Sequence, residues 1–151
     1  MKLRWVIDAS ILGNVCKKNN NDITREFLDQ VKKNHYVVVN LDVINEYKPM
    51  PGRKNLMCEQ KDKEFLQQWI IELRRKFGVS SKNLPDLPLC IIRQLDNKFK
   101  NEDCIYVRLA LSNNDKLLVA EETHFQNVRN CLEKNNIRMF NEIEALEYID
   151  H

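Results

Sequence analysis

Asp8, Glu46, Asp103 and the pair Glu121-Glu122 are acids spread along the chain, each at the end of an apolar run or beside a turn. Asp8 closes Leu3-Arg4-Trp5-Val6-Ile7, and Glu121-Glu122 follow Leu117-Leu118-Val119-Ala120. Glu46 ends Leu41-Asp42-Val43-Ile44-Asn45, and Asp103 opens a segment with Ile105, Tyr106, Leu109 and Ala110 on its apolar side. Carboxylates gathered in one place suit hard cations, because magnesium and manganese take oxygen ligands. Such an ion polarises a phosphoryl oxygen and activates a water, which is the chemistry of phosphodiester hydrolysis. Two ions about 3.5–4 Å apart would serve both the attacking and the leaving oxygen. The same gathering opposes folding: two carboxylates ~5 Å apart repel by about 3 kcal/mol at an effective dielectric near 20.

Each acid also has a plainer use. Asp8 could cap a helix starting at Ser10-Ile11-Leu12. Glu46 could be a solvated helix residue, Asp103 a favourable charge in a first helical turn, and Glu122 a surface acid. Other chemistries lack their residues. The three glycines, Gly13, Gly52 and Gly78, form neither a dinucleotide fingerprint nor a phosphate loop. No His-Glu-x-x-His occurs, Ser10 has no histidine at a supporting spacing, and no acidic pair precedes the first strand as in a receiver domain.

The elements that must position these acids are short apolar strands alternating with helices. Strands are expected over 3–7, 35–39, 117–119 and 137–140, by β-branched and apolar content between polar breaks. Helices are expected after the Asn20-Asn21-Asp22 cap and over 41–47, 59–77, 89–99, 124–134 and 142–149, with one opening at Asn101. Gly78 reads as a C-cap of the long helix, and Trp69, on that helix's apolar stripe, as core. This alternation predicts an α/β fold: a three-layer α/β/α domain spanning 1–151, with a central, mostly parallel sheet of four or five strands. Ligands of such sheets bind at the carboxyl edge, where strand-end acids collect.

In order and local context these acids resemble the PIN domain of toxin-type and RNA-processing nucleases. Val6-Ile7-Asp8-Ala9-Ser10 resembles that family's first strand with its leading aspartate, and Leu41–Glu46 the helix carrying the second acid. Asp103, with Ala110 seven residues on, resembles the third acid, and Leu117–Phe125 the last strand, whose acid precedes a phenylalanine by three. The resemblance implies a catalytic set of Asp8, Glu46, Asp103 and Glu122, with metal held by Asp8, Asp103 and Glu122. It gives Ser10 and Glu121 supporting places. It implies Mg2+ or Mn2+ as cofactor, RNA as substrate, and an antitoxin protein or a second copy as partner. Glu122 stands where the family usually has aspartate, and Ala120 where it often has threonine. This departure keeps open a degenerate PIN-like module that binds RNA or assembles a complex without cutting.

Composition fits one domain with a sizeable core: 151 residues, 43% hydrophobic and 30% charged, with a net charge of +2. A balance this even does not announce a polyanion partner. A local rim of Lys61, Lys63, Arg74 and Arg75 on the long helix is the candidate nucleic-acid contact, with an ordinary solvated face as its alternative. The five cysteines are odd in number and lack zinc-ligand spacing, so reduced, buried thiols are expected. No apolar run approaches a membrane span, and Asp8 interrupts the apolar start where a signal peptide would continue. A cytoplasmic chain is expected.

Overall fold

The structure, a computed structural model, describes residues 1–17, 21–53, 57–94 and 101–150, without the side chains of Asn21, Asn101, Glu102, Glu122 and His124. Five strands form one fully parallel sheet: β1 (Arg4–Ile7), β2 (Tyr36–Val39), β3 (Gly78–Ser80), β4 (Leu117–Val119) and β5 (Arg138–Phe140). Their order is β3-β2-β1-β4-β5. The chain therefore builds outward from β1 to one side, then crosses to β4 and builds outward on the other. The crevice between β1 and β4, where the direction reverses, is where such sheets bind ligands. The register Trp5↔Leu117, Val6↔Leu118, Ile7↔Val119 brings the carboxyl ends of these two strands level.

Right-handed crossovers place the helices on the two faces. One face carries α2 (Asn21–Asn34), α4 (Gln60–Glu72) and α9 (Glu142–Asp150). The other carries α6 (Asn101–Leu111) and α8 (Arg129–Lys134), to which α5 (Leu89–Ile92) is tied by the Cys90–Cys131 bond. Three short helices start just past strand ends: α1 (Ala9–Gly13), α3 (Leu41–Tyr47) and α7 (Glu122–Phe125). Both faces of β1 and β4 are covered, so Trp5, Val6, Ile7, Leu117, Leu118 and Val119 are all buried. Trp5 meets Phe27 of α2 and Tyr148 of α9 edge-on, with ring centroids 5.6 and 5.9 Å apart. Trp69 is core as expected, its indole N–H donating to the Leu28 carbonyl at 2.9 Å. The buried Asp62 of α4 pairs with Arg25 of α2 at 3.1 Å, a tie between helices that periodicity does not reveal.

Several expectations need correction. The strand β3 was not foreseen, because its three residues follow a helix with no break. The expected helix over 59–77 is α4 followed by one π-helical turn, Leu73–Phe77, closed by the Gly78 amide on the Leu73 carbonyl. Gly78 does stand at the helix end, but its φ of −81° is ordinary, so it is not a left-handed cap. Close approach is the reason for glycine: a Cβ there would lie 2.5 Å from the Leu73 carbonyl oxygen. Gly78→Ala is expected to cost about 1–3 kcal/mol in urea unfolding by overpacking. Gly52→Ala, with nothing within 4 Å of its added carbon, is expected to cost far less.

The helix expected over 89–99 ends at Ile92, and 95–100 lie outside the described residues. The helix expected over 124–134 is α7, a 3-10 turn (Gln126–Val128) and α8. The expectation of five reduced thiols is also overturned. Cys16 is bonded to Cys58 and Cys90 to Cys131, with Cα–Cα distances of 4.5 and 5.9 Å, and the buried Cys104 stands outside both disulfides. Each pair is more than 40 residues apart in sequence, so spacing rules built on neighbouring cysteines could not see it. Among the described residues, no helix is long and apolar enough to cross a membrane.

Candidate active site

The ladder runs one step past the carboxyl end of β1, where the Asp8 amide donates to Val119 of β4 at 2.9 Å. That bond fixes the Asp8 backbone over the crevice. Asp8 then takes the N-cap position of α1, yet its side chain makes no capping bond. Its carboxylate instead accepts a hydrogen bond from the Ser10 hydroxyl, and the residue is only 4% exposed. A nearly buried acid that does not cap its own helix is aimed at something else.

Glu46 arrives on α3, a helix started by Asn40, whose side chain accepts from the Val43 amide at 2.9 Å. Counting from that cap, Val43 and Tyr47 face inward and Glu46 lies half-buried beside them. Asp103 comes from the first turn of α6, which packs against α3, and is also half-buried. Asp8, Glu46 and Asp103 line one cleft of about 360 Å³, together with Ser10, Asn45, Met50, Arg53 and Tyr106. Three of the four acids expected to act together are thus brought to one place from β1, α3 and α6. Among the described residues, no three acid, histidine or cysteine side chains form a group that could hold a metal ion by themselves.

Glu122 begins α7 just past β4, at the same edge, but its side chain lies outside the described residues. Glu121 does not line this cleft. It pairs with Lys17 at 3.2 Å and faces a neighbouring recess with Asn14 and Glu142. Glu142 is itself held there, accepting from Thr24 at 2.5 Å and from Asn14 at 3.2 Å. The cations of the long helix divide. Lys61 and Lys63 lie near the start of α4, which packs on the 3-10 turn Met50–Gly52 at the cleft wall. Arg74 and Arg75 lie in the turn that leads into the start of β3, hence at the amino edge, away from the cleft.

Two tyrosines adjoin the site: Tyr106, expected only on the core side of its helix, and Tyr47, expected only as the end of α3. The Tyr47 hydroxyl donates to the Ile7 carbonyl. The Tyr106 hydroxyl donates to Glu46 and accepts from the Ala9 amide, the latter at 3.2 Å. Burial, then the negative field of Asp8 and Glu46, holds Tyr47 well above the usual phenol range. Tyr106 is raised in the same way, by burial first, then Tyr47, Asp8 and its bond to Glu46. Both phenols are therefore neutral donors at physiological pH. The available signal was the position of Tyr106, three residues after Asp103 and so on the same helix face. Arg53 brings an exposed guanidinium to the rim, making a cleft with three carboxylates and one fixed cation.

The sequence matches no protein-family model and no curated protein. Its backbone is similar to a chain in the crystal structure of VapBC2 from Rickettsia felis bound to a DNA fragment from their promoter. That likeness has a TM-score of 0.50 and 14% identity, and covers 91% of this chain and 98% of the other. At this identity it speaks for backbone architecture, and it extends over nearly the whole of both chains. The protein thus has the three-layer α/β/α fold, with a parallel sheet of five strands, expected from its alternation of short apolar strands and helices.

Proposed function

We propose that the protein is a divalent-metal-dependent endoribonuclease that hydrolyses RNA phosphodiesters in the cleft at the carboxyl edge. The observation that carries this reading is the meeting of Asp8, Glu46 and Asp103, from three separate elements, in one cleft. Their donors are all hard oxygens, which suits magnesium or manganese. Asp8 and Asp103 would hold the ion, with Glu122 the further ligand we propose. The ion would supply Lewis-acid polarisation of the phosphate and a water of lowered pKa. The chain's own groups do the rest. Ser10 orients the Asp8 carboxylate. Glu46 faces the cleft, where its carboxylate would accept a proton from the attacking water. Arg53 offers a planar fork to a phosphate oxygen. Lys61 and Lys63 would guide the strand toward that wall, giving salt-dependent affinity.

The VapBC2 structure is an assembly, and we extend that feature to this chain: a protein partner of antitoxin type would cover the cleft. A second copy of the chain is a further proposed partner.

The test is cleavage of structured and unstructured RNAs by purified protein in manganese, in magnesium or in chelator. Cutting is expected with metal and not with chelator. Asp103→Asn is expected to reduce it at least about a hundredfold, beyond the roughly 10–100-fold that follows loss of a ligand's supporting group. Absence of cutting with every metal, alongside retained RNA binding, would favour the non-catalytic RNA-binding module.

A further inference from the structure

One oxygen joins the three acid-bearing elements. The Tyr106 hydroxyl accepts from the Ala9 amide at 3.2 Å and donates to the Glu46 carboxylate. The direction of both bonds follows from the groups involved. An amide can only donate and a carboxylate only accepts, so the phenolic proton lies toward Glu46. Ala9 is the first residue of α1, whose amide has no partner inside its own helix. An N-cap side chain reaches the second or third amide of a helix, so this first amide needs another acceptor, and Tyr106 supplies it. The Asp8 side chain makes no capping bond and faces the cleft. Tyr106 also lies one turn after Asp103 on α6, so its ring and that acid share a face. The ring is 1% exposed, which leaves the hydroxyl little freedom.

We propose that Tyr106 is a positioning residue that sets the separation of Glu46 from Asp8, and through it the affinity of the cleft for a divalent cation. The inference rests on the metal-dependent reading of the cleft. Tyr106 touches neither metal nor substrate in this scheme; it acts through Glu46 and the start of α1. Removing its hydroxyl leaves the ring's packing intact and takes away one of the bonds that hold Glu46.

The test uses the full chain and manganese alone, by titration calorimetry without RNA, then steady-state RNA cleavage. Tyr106→Phe is expected to weaken manganese binding about 10-fold or more and to lower kcat by a similar factor, with KM for RNA changed less than twofold. In a Glu46→Gln background the same substitution is expected to change manganese affinity less than twofold. Trp69→Phe, which removes the buried hydrogen bond to the Leu28 carbonyl and keeps an aromatic ring beside Tyr47, should lower thermal stability while leaving manganese affinity unchanged. Wild-type binding matched by Tyr106→Phe would overturn the positioning role alone. An equal effect of Tyr106→Phe with and without Glu46 would overturn it too. Wild-type protein that neither binds manganese nor cuts RNA would overturn the metal-dependent reading, and this inference with it.

Discussion

Asp8→Asn is expected to abolish metal-dependent cleavage and, in chelator, to raise the melting temperature. Both effects come from one charge. Asp8 is almost fully buried in a cleft whose lining it shares with Glu46 and Asp103, so three acids crowd one recess. Asparagine keeps the volume and an oxygen for the Ser10 hydroxyl, and removes the repulsion. A relief of about 1–3 kcal/mol corresponds to a rise of several degrees for a domain of this size. Saturating manganese should reverse the ranking. The wild type would gain roughly 2.7 kcal/mol at a hundred times its dissociation constant, while the variant, short of a ligand, gains little. Differential scanning calorimetry with and without metal measures both halves. An inactive variant that melts below wild type in chelator would make Asp8 a structural residue.

Reduction of the disulfides is expected to have the largest effect on stability. The bonded cysteines are 42 and 41 residues apart. Closing a loop of that length restricts the unfolded chain by about 4 kcal/mol. The loops 16–58 and 90–131 do not overlap, so the two contributions should add approximately. Together they approach the whole stability of an ordinary domain, about 5–15 kcal/mol. Urea midpoints with and without dithiothreitol should therefore differ widely. Cys16→Ser and Cys90→Ser should each recover about half of the difference. Thiol titration in denaturant checks the pairing directly: one thiol before reduction and five after. Five thiols without reductant would remove the premise.

The acids and the sheet were legible for the same physical reason. A buried parallel strand must be apolar along its length, so the first polar residue after Val6-Ile7 or Leu118-Val119 marks the carboxyl edge. Asp8 could thus be placed from local sequence alone. Glu46 and Asp103 needed helix periodicity and an order of elements, and both line the cleft. What stayed hidden depends on contacts distant in sequence. β3 is three residues long and exists because β2 offers it a partner. The separate places of Glu121 and Arg74-Arg75 follow from the direction of the backbone after β4 and α4, which composition does not encode. Tyr106 looked like packing because its ring is packing; only its hydroxyl, meeting residues 97 and 60 positions away, gives it a second task.

The two outer strands are short, β3 and β5 having three residues each. An unpaired strand edge is a template on which another molecule can add a strand, and long flat edges are where globular proteins begin to form fibrils. Here each border offers too few backbone groups for a foreign strand to hold firmly. An all-parallel sheet is slow to assemble, since each of its strands waits for a crossover to close. Short borders allow that slow assembly in a crowded solution with little risk of one half-built sheet growing onto the next.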